Sequence, residues 1–480
     1  MTSPVETAIR GAVTTGLMGV ASLNRKLRRA KAPNPYLTGI HTPVKSEATF
    51  TDLKVTGEIP ASLNGLYVRN GPNPLKAPNH ATHHWFVGDG MLHGVRLQDG
   101  KALWYRNRWL RSTDVSEALG EKRAPGPRSP SGQESPNTSV VGHAGKILAI
   151  VEAGGFPVEV TETLDTIAHT DFGGTLGKAF SAHPHRDPDT GEMHAITYHT
   201  QDPANVWHTV VDTSGKVRRN EPIAVQDGPS IHDCMITKNY IVVMDLPVTF
   251  SMPALVAGDS FPYRWNPRHA ARIGLLPREG KGSEIIWCDI EPCYIFHPAN
   301  AFETDDGKVI MDAAVHTTMF ADGAAGPNSN ATPFERLVID PVARRVTRTV
   351  IDPAPQEFPR TDERRTGKPY RYAYTVALPE NGDPGLLADS RIFKHDLATG
   401  THQVRDFGAG KIPGEFVFVP ASANSGEDEG WLIGYVIDIA AGATDLVILD
   451  AQDFAGPPVA AITIPVRIPP GFHGNWIAIP

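Results

Sequence analysis

Four short stretches of the chain place a histidine among strand- and turn-forming residues: Ser181-Ala-His183-Pro184, Ser230-Ile-His232-Asp233, Tyr294-Ile-Phe-His297-Pro298 and Gly471-Phe-His473-Gly474. The histidines are 49, 65 and 176 positions apart, so no two form an HxxxH pair on one helix. Together, such side chains can bind a metal ion. Neutral imidazole is a ligand for Zn, Cu, Fe and Ni, and the number of histidines does not choose among them. None of the four would carry this reading alone. The chain has 19 histidines, and a histidine taken at random is more often a hydrogen-bonded structural residue than a ligand. His185, His194, His199 and His208 lie nearby and show that closeness in sequence is no criterion.

The elements that must position these side chains are strands. After Pro33, short apolar runs alternate with turn residues: 65–71, 92–97, 147–151, 241–244, 309–311, 431–436 and 446–449. Most are rich in β-branched or aromatic side chains and bounded by Gly, Pro, Asn or Asp, which is the pattern of strands. Gly307 after Asp305-Asp306, and Gly400 after Thr399, read as hairpin turns. Helical periodicity is nearly absent beyond residue 35, so the expected class is all-β. A β-propeller of four-stranded blades accommodates the ~445 remaining residues in one domain, at about 64 residues per blade for seven blades. Strands converge on a propeller axis, so histidines from different blades would meet there. No regular repeat or linker is visible. The Pro-, Ser- and Gly-rich stretch 123–136 reads as a long exposed loop. Residues 36–480 are therefore expected to form a single catalytic propeller domain.

Residues 1–35 stand apart. Val5, Ile9, Val13, Leu17, Val20, Leu23 and Leu27 recur at steps of three or four, followed by Arg25, Lys26, Arg28, Arg29 and Lys31. This is a short amphipathic helix with a basic end, suited to a membrane surface or to packing on its own domain. An export signal carries its cations before the apolar run, and here most follow it. No run of 18 apolar residues exists, so no spanning helix is expected. Composition excludes other classes. With 45 basic against 53 acidic residues and a net charge of -8, nucleic acid is not the expected partner. Cys234, Cys288 and Cys293 have no metal-binding spacing and are an odd number, which points to a reducing compartment. The expected location is cytoplasmic, with peripheral membrane contact.

The histidine segments belong to a longer series: NGLYVRNGPNP (64–74), HWFVGDGMLHGVRL (84–97), YRNRWLRS (105–112), SAHPHRDPDTGE (181–192), SIHDCMITKNYIVVMDLP (230–247), CYIFHPANAFE (293–303), EFPR (357–360), GEFVFVP (414–420) and GFHGNW (471–476). On these motifs the chain resembles the carotenoid cleavage oxygenases, the group that also holds apocarotenoid- and stilbene-cleaving dioxygenases. The resemblance implies a seven-bladed propeller capped by loops, with a non-haem Fe(II) on its axis. It implies His183, His232, His297 and His473 as the iron ligands, and Glu152, Glu357 and Glu415 as carboxylates behind them. A carboxylate accepting the far N–H of a ligating imidazole fixes its tautomer and raises its basicity. Which glutamate holds which histidine is not legible. Thr138 matches a threonine whose methyl narrows one coordination position.

The implied reaction is oxidative cleavage of a C=C bond by O2 into two carbonyl products, with no side chain as nucleophile or general base. The implied substrate is a lipophilic polyene, a carotenoid or apocarotenoid. Stilbene-cleaving relatives commonly carry Lys immediately before the first of the three glutamates, and here that position is Val151. A stilbene- or phenylpropene-cleaving dioxygenase of the same fold is the alternative. A propeller that only binds, and a zinc hydrolase, are further readings that the intact histidine and glutamate segments count against. Phe250, Phe261, Phe296 and Val151 are the candidates for the wall of a substrate tunnel, and the apolar stretch 248–265 is expected either at its mouth or in the core.

Overall fold

A computed structural model describes residues 4–323, 325–328, 332–380 and 389–479, and, for residues 4–15, the backbone alone. Each of the seven apolar runs falls in a strand: Gly65–Pro72, Gly90–Gln98, Lys146–Ile150, Tyr240–Asp245, Val309–Ala314, Gly430–Asp438 and Ala443–Asp450. Most residues of these strands are buried on both faces because the sheets pack face to face. Strands further out alternate in exposure, as in Val217–Ala224, where Val217, Arg219, Glu221 and Ile223 are the more buried and Arg218, Asn220, Pro222 and Ala224 are exposed. Gly307 and Gly400 have φ of 81° and 69° and close the turns between antiparallel neighbours, as their positions in the sequence predict.

The architecture is all-β and propeller-like. Sequential strands pair antiparallel into sheets of four, five, six and eight strands, joined by one two-stranded ribbon. Seven separate four-stranded blades are not what the hydrogen bonding gives: among the described residues there are six sheets of four or more strands, plus the ribbon. The physical reason lies in the eight-stranded sheet. Its two antiparallel halves, 234–289 and 298–352, are joined only where Asp289 meets Arg345 in a parallel pair. At the chain ends, Lys54–Gly57 pairs with Ala460–Ile464, and Gly474–Ala478 pairs with Gly65–Pro72. Late strands thus complete sheets begun by early ones.

Among the described residues, three α-helices lie outside the sheets: α1 (Pro4–Leu27), α2 (Thr113–Leu119) and α3 (Met252–Val256). The α1 span agrees with the amphipathic segment read from the sequence. Of its stripe, the side chains of Val5, Ile9 and Val13 lie outside the described ones. Leu17 is half-buried, while Val20, Leu23 and Leu27 are exposed. The helix end is tied to α3 by Asn24 Nδ2 donating to the Val256 carbonyl at 2.7 Å, by Arg25 Nε donating to Gly258 O at 3.2 Å, and by an Arg28–Asp259 ion pair. The three cysteines are buried and free.

Candidate metal centre

The four histidines are delivered by a common local device. Each stands at or just before the first residue of a strand on the edge of its sheet: His183 before His185–Arg186, His232 before Cys234–Ile236, His297 before Pro298–Glu303 and His473 before Gly474–Ala478. Thr138 precedes Ser139–His143 in the same way, Glu415 precedes Val417–Pro420, and Glu357 is the second residue of Gln356–Arg360. Seven strand starts therefore aim one residue each at one place. At Glu357 the register shifts, and Phe358 adopts a left-handed φ of 53°. Bulges of this kind re-aim a side chain, and such strain is held at functional positions.

The structure brings together His183, His232, His297 and His473: one ring nitrogen from each lies within 4.8 Å of all the others. The pairing with glutamates, hidden in the sequence, is explicit. His232 Nδ1 is 2.7 Å from Glu152 Oε1, His297 Nδ1 is 2.6 Å from Glu357 Oε2, and His473 Nδ1 is 3.0 Å from Glu415 Oε1. His183 has no glutamate. Its Nδ1 is 3.7 Å from Asp233, whose carboxylate also receives His185 Nε2 at 2.7 Å.

Each carboxylate is itself held. Glu152 accepts from the Tyr198 hydroxyl at 2.8 Å, Glu357 from His316 Nε2 at 2.9 Å, and Glu415 from the Gly474 amide at 2.9 Å. Burial alone would raise the pKa of Glu357, but His297 and His316 outweigh it and hold the group well below the usual carboxylate range. For Glu415, burial is again overcome, by Arg360 and His473, and the pKa falls to about 2. Burial works against charge on His297, yet Glu357 holds its pKa above the ordinary value. Burial, then the three neighbouring imidazoles, push His183 well down.

This donor set fits a metal ion. With Nδ1–H committed to a carboxylate in both rings, His232 Nε2 and His297 Nε2 present lone pairs to each other across 3.1 Å. Two nitrogens about 2.1 Å from a shared ion and at right angles to it would stand about 3 Å apart. His183 Nε2 is buried with no hydrogen-bond partner among the described residues. Four neutral nitrogen donors suit Fe, Zn, Cu or Ni and not Mg or Ca.

Two cavities meet at the centre. One, of about 750 Å3, has a mixed lining that includes His183, His185, Arg186, Asp233 and Arg360 beside Val141, Ile147 and Met235. The other, of about 570 Å3, has Trp85, Phe86, Phe261, Phe296, Phe358 and Phe472 in its wall and Thr138, His232, His297 and His473 at its inner end. Val151 and Glu152 also line it. Of the four tunnel candidates, Phe261, Phe296 and Val151 therefore face this space, and Phe250 does not. Phe250 is the register partner of Tyr263 in the two-stranded ribbon Val248–Phe250/Tyr263–Trp265, with ring centroids 5.9 Å apart, and Tyr263 takes the place in the wall while Phe250 lines a separate small pocket beside it. The stretch 248–265 thus serves both as wall and as packing. The 123–136 stretch is also corrected: Ser131, Gln133, Glu134 and Ser135 line the apolar cavity, so this is not simply an exposed loop. Ser129 and Ser131 hydroxyls tether it to the Gly154 carbonyl.

A family model described as retinal pigment epithelial membrane protein (RPE65) matches residues 41–478. A carotenoid cleavage oxygenase of Mycobacterium tuberculosis is 41% identical over 93% of this chain and 98% of its own length. The chain belongs to the RPE65/carotenoid cleavage oxygenase family. Another relative, a carotenoid 9,10(9',10')-cleavage dioxygenase of Phaseolus vulgaris, is 31% identical over 93% of this chain and 90% of its own. In structure, the chain is similar to the lignostilbene dioxygenase of Pseudomonas brassicacearum, with a TM-score of 0.84 at 25% identity, over 94% of this chain and all of that one.

Within this carotenoid cleavage oxygenase, sequence reasoning missed several partners. Tyr198, Asp233 and His316 carry no spacing signal, since they meet their carboxylates or imidazoles only across sheets. Phe358 and Phe472, also missed, had one: like the tunnel candidate Phe296 beside His297, they are adjacent in sequence to Glu357 and His473, so the chain that positions a polar group also supplies an aromatic wall beside it.

Proposed function

We propose that the protein is a non-haem Fe(II)-dependent dioxygenase that cleaves a C=C bond of a carotenoid or apocarotenoid into two carbonyl products using O2. The observation that carries this reading is the joining of a four-imidazole centre to a long aromatic-walled cavity. His183, His232, His297 and His473 would hold the iron, and a bound ferrous ion supplies the electron density that dioxygen needs to react with a closed-shell alkene. The rest is the work of the chain. Glu152, Glu357 and Glu415 hold three imidazoles in one tautomer with Nε2 free. Phe86, Phe296, Phe358 and Phe472 exclude water and orient a polyene by its faces. The hydroxyl of Thr138 donates to Asn137 Oδ1 at 3.1 Å, leaving its methyl to narrow one coordination position. Residues 36–480 act as one catalytic domain.

The structural likeness to a lignostilbene dioxygenase favours a second reading, cleavage of a stilbene or phenylpropene. Val151 separates the two. It is buried in the cavity wall next to Glu152, where its aliphatic side chain offers a phenolic oxygen no hydrogen bond. Incubation with an apocarotenal and with a hydroxystilbene, followed by mass analysis of the aldehydes, is expected to show cleavage of the apocarotenal. Val151→Lys is expected to lower kcat/KM for it at least tenfold, since an unpaired buried ammonium costs several kcal/mol. Preferential cleavage of the hydroxystilbene by the unaltered enzyme would establish the second reading.

A polyene substrate dissolves in lipid, and the exposed apolar residues Met18, Val20, Leu23, Leu27 and Met252 cluster on α1 and α3, close to Ser260 and Phe261 in the cavity wall. No helix among the described residues is long and apolar enough to cross a membrane. We read the protein as cytoplasmic, with α1 and α3 resting on a membrane surface. Cosedimentation with anionic vesicles is expected for the full chain and is expected to be lost in a Leu23→Asp/Leu27→Asp variant; equal sedimentation of both would refute a role for this patch.

A further inference from the structure

Outside the centre, a second group of ligand-type side chains converges. His395 and His402 are register partners on the adjacent antiparallel strands Arg391–Asp396 and Thr401–Asp406, so their side chains share a face. Asp352 ends the strand Arg345–Asp352 of a different sheet. One donor atom from each of the three lies within 4.8 Å of the others. Asp352 Oδ2 is 2.8 Å from His402 Nδ1 and 3.9 Å from His395 Nδ1. Asp352 and His395 are 4% and 2% exposed, whereas the His402 side chain is 42% exposed and gives an entry path.

The hydrogen bonds decide what this pocket lacks. Gln356 Nε2 donates to the Ala354 carbonyl at 3.0 Å, which turns Gln356 Oε1, an acceptor, toward Thr375 and His395. His395 Nε2, 2.7 Å from that oxygen, must therefore carry the ring proton, and His395 Nδ1 is left with a lone pair. That lone pair faces Asp352 Oδ2. Asp352 Oδ1 accepts from the Ala354 amide at 2.9 Å, but Oδ2 has no hydrogen-bond partner among the described residues, since His402 Nδ1 stands out of line for donation. A buried carboxylate oxygen facing a buried lone pair is costly unless a cation lies between them.

We propose that Asp352, His395 and His402 form a second metal site, for a borderline divalent cation of the zinc type, which ties two neighbouring sheets together. Two imidazoles and one carboxylate are a zinc-type ligand set, whereas calcium and magnesium take oxygen ligands. Solvent reaching past His402 completes the coordination. It joins residues of two sheets, so its role is to hold them together, adding stability by mass action when the cation is present.

The test uses the iron-loaded protein and zinc alone, with zinc titrated against a chromophoric chelator and iron measured in the same samples. The full chain is expected to take up one zinc per chain without releasing iron and to melt at a higher temperature for it. Asp352→Asn, which keeps the shape of the side chain, and His402→Ala, at a half-exposed position, are each expected to weaken that zinc at least tenfold and to abolish the rise in Tm, with iron content unchanged. Zinc uptake that is equal in all three proteins, or that occurs only as iron is lost, would overturn the proposal.

Discussion

Replacing His297 with alanine is expected to remove iron and abolish alkene cleavage while leaving the protein folded. The loss follows from taking one of four convergent nitrogens out of a centre in which His297 Nε2 stands 3.1 Å from His232 Nε2. The folding expectation follows from what remains behind. A buried carboxylate left without a partner would destabilise the protein by about 3–5 kcal/mol. Glu357, however, keeps His316 at 2.9 Å and the amide of Phe358. The same holds for His232→Ala, where Glu152 keeps the Tyr198 hydroxyl at 2.8 Å. Iron per chain, read beside a circular-dichroism melt, checks both. Full iron occupancy in both folded variants would contradict the assignment of these rings as ligands.

Glu357→Gln is expected to weaken iron binding or turnover by about 10–100-fold, the usual range for a residue that orients a ligand. The carboxylate stands between two donors, His297 Nδ1–H at 2.6 Å and His316 Nε2–H at 2.9 Å. An amide has one oxygen and one NH2, so it can satisfy only one of them. If the NH2 faces His297, the ring must shift its proton to Nε2, the atom that should hold the metal. If it faces His316, that ring must change tautomer instead, which Thr332 Oγ1 at 3.1 Å from His316 Nδ1 can accommodate. The loss is therefore large but partial. Binding and turnover equal to those of the unaltered protein would refute this role for Glu357.

The strands were legible because runs such as 241–244 and 446–449 are apolar throughout and bounded by turn residues, a signal that survives without knowledge of pairing. The number of separate sheets was not, because it depends on one contact, Asp289 with Arg345, between residues of no special type. The four histidines were visible as a set through the motifs around them, and the structure places them within reach of one ion. Their pairing with Glu152, Glu357 and Glu415 was hidden because it is set by which strand starts are neighbours around the centre. Phe250 stands outside the wall for a related reason: a hydrophobic stretch such as 248–265 does not reveal which of its side chains lies next to the cavity, and Tyr263, the cross-strand partner of Phe250, takes that place. His316 and Tyr198 were invisible, since a buried donor to a carboxylate looks like any other histidine or tyrosine in a sequence.

The account rests on one ion shared by four imidazoles, and an anomalous-difference map collected at the iron edge from anaerobically loaded crystals tests it most directly. A single strong peak bounded by His183, His232, His297 and His473 is the predicted result. A map with iron elsewhere, or with one of those rings turned away from the peak, would contradict it.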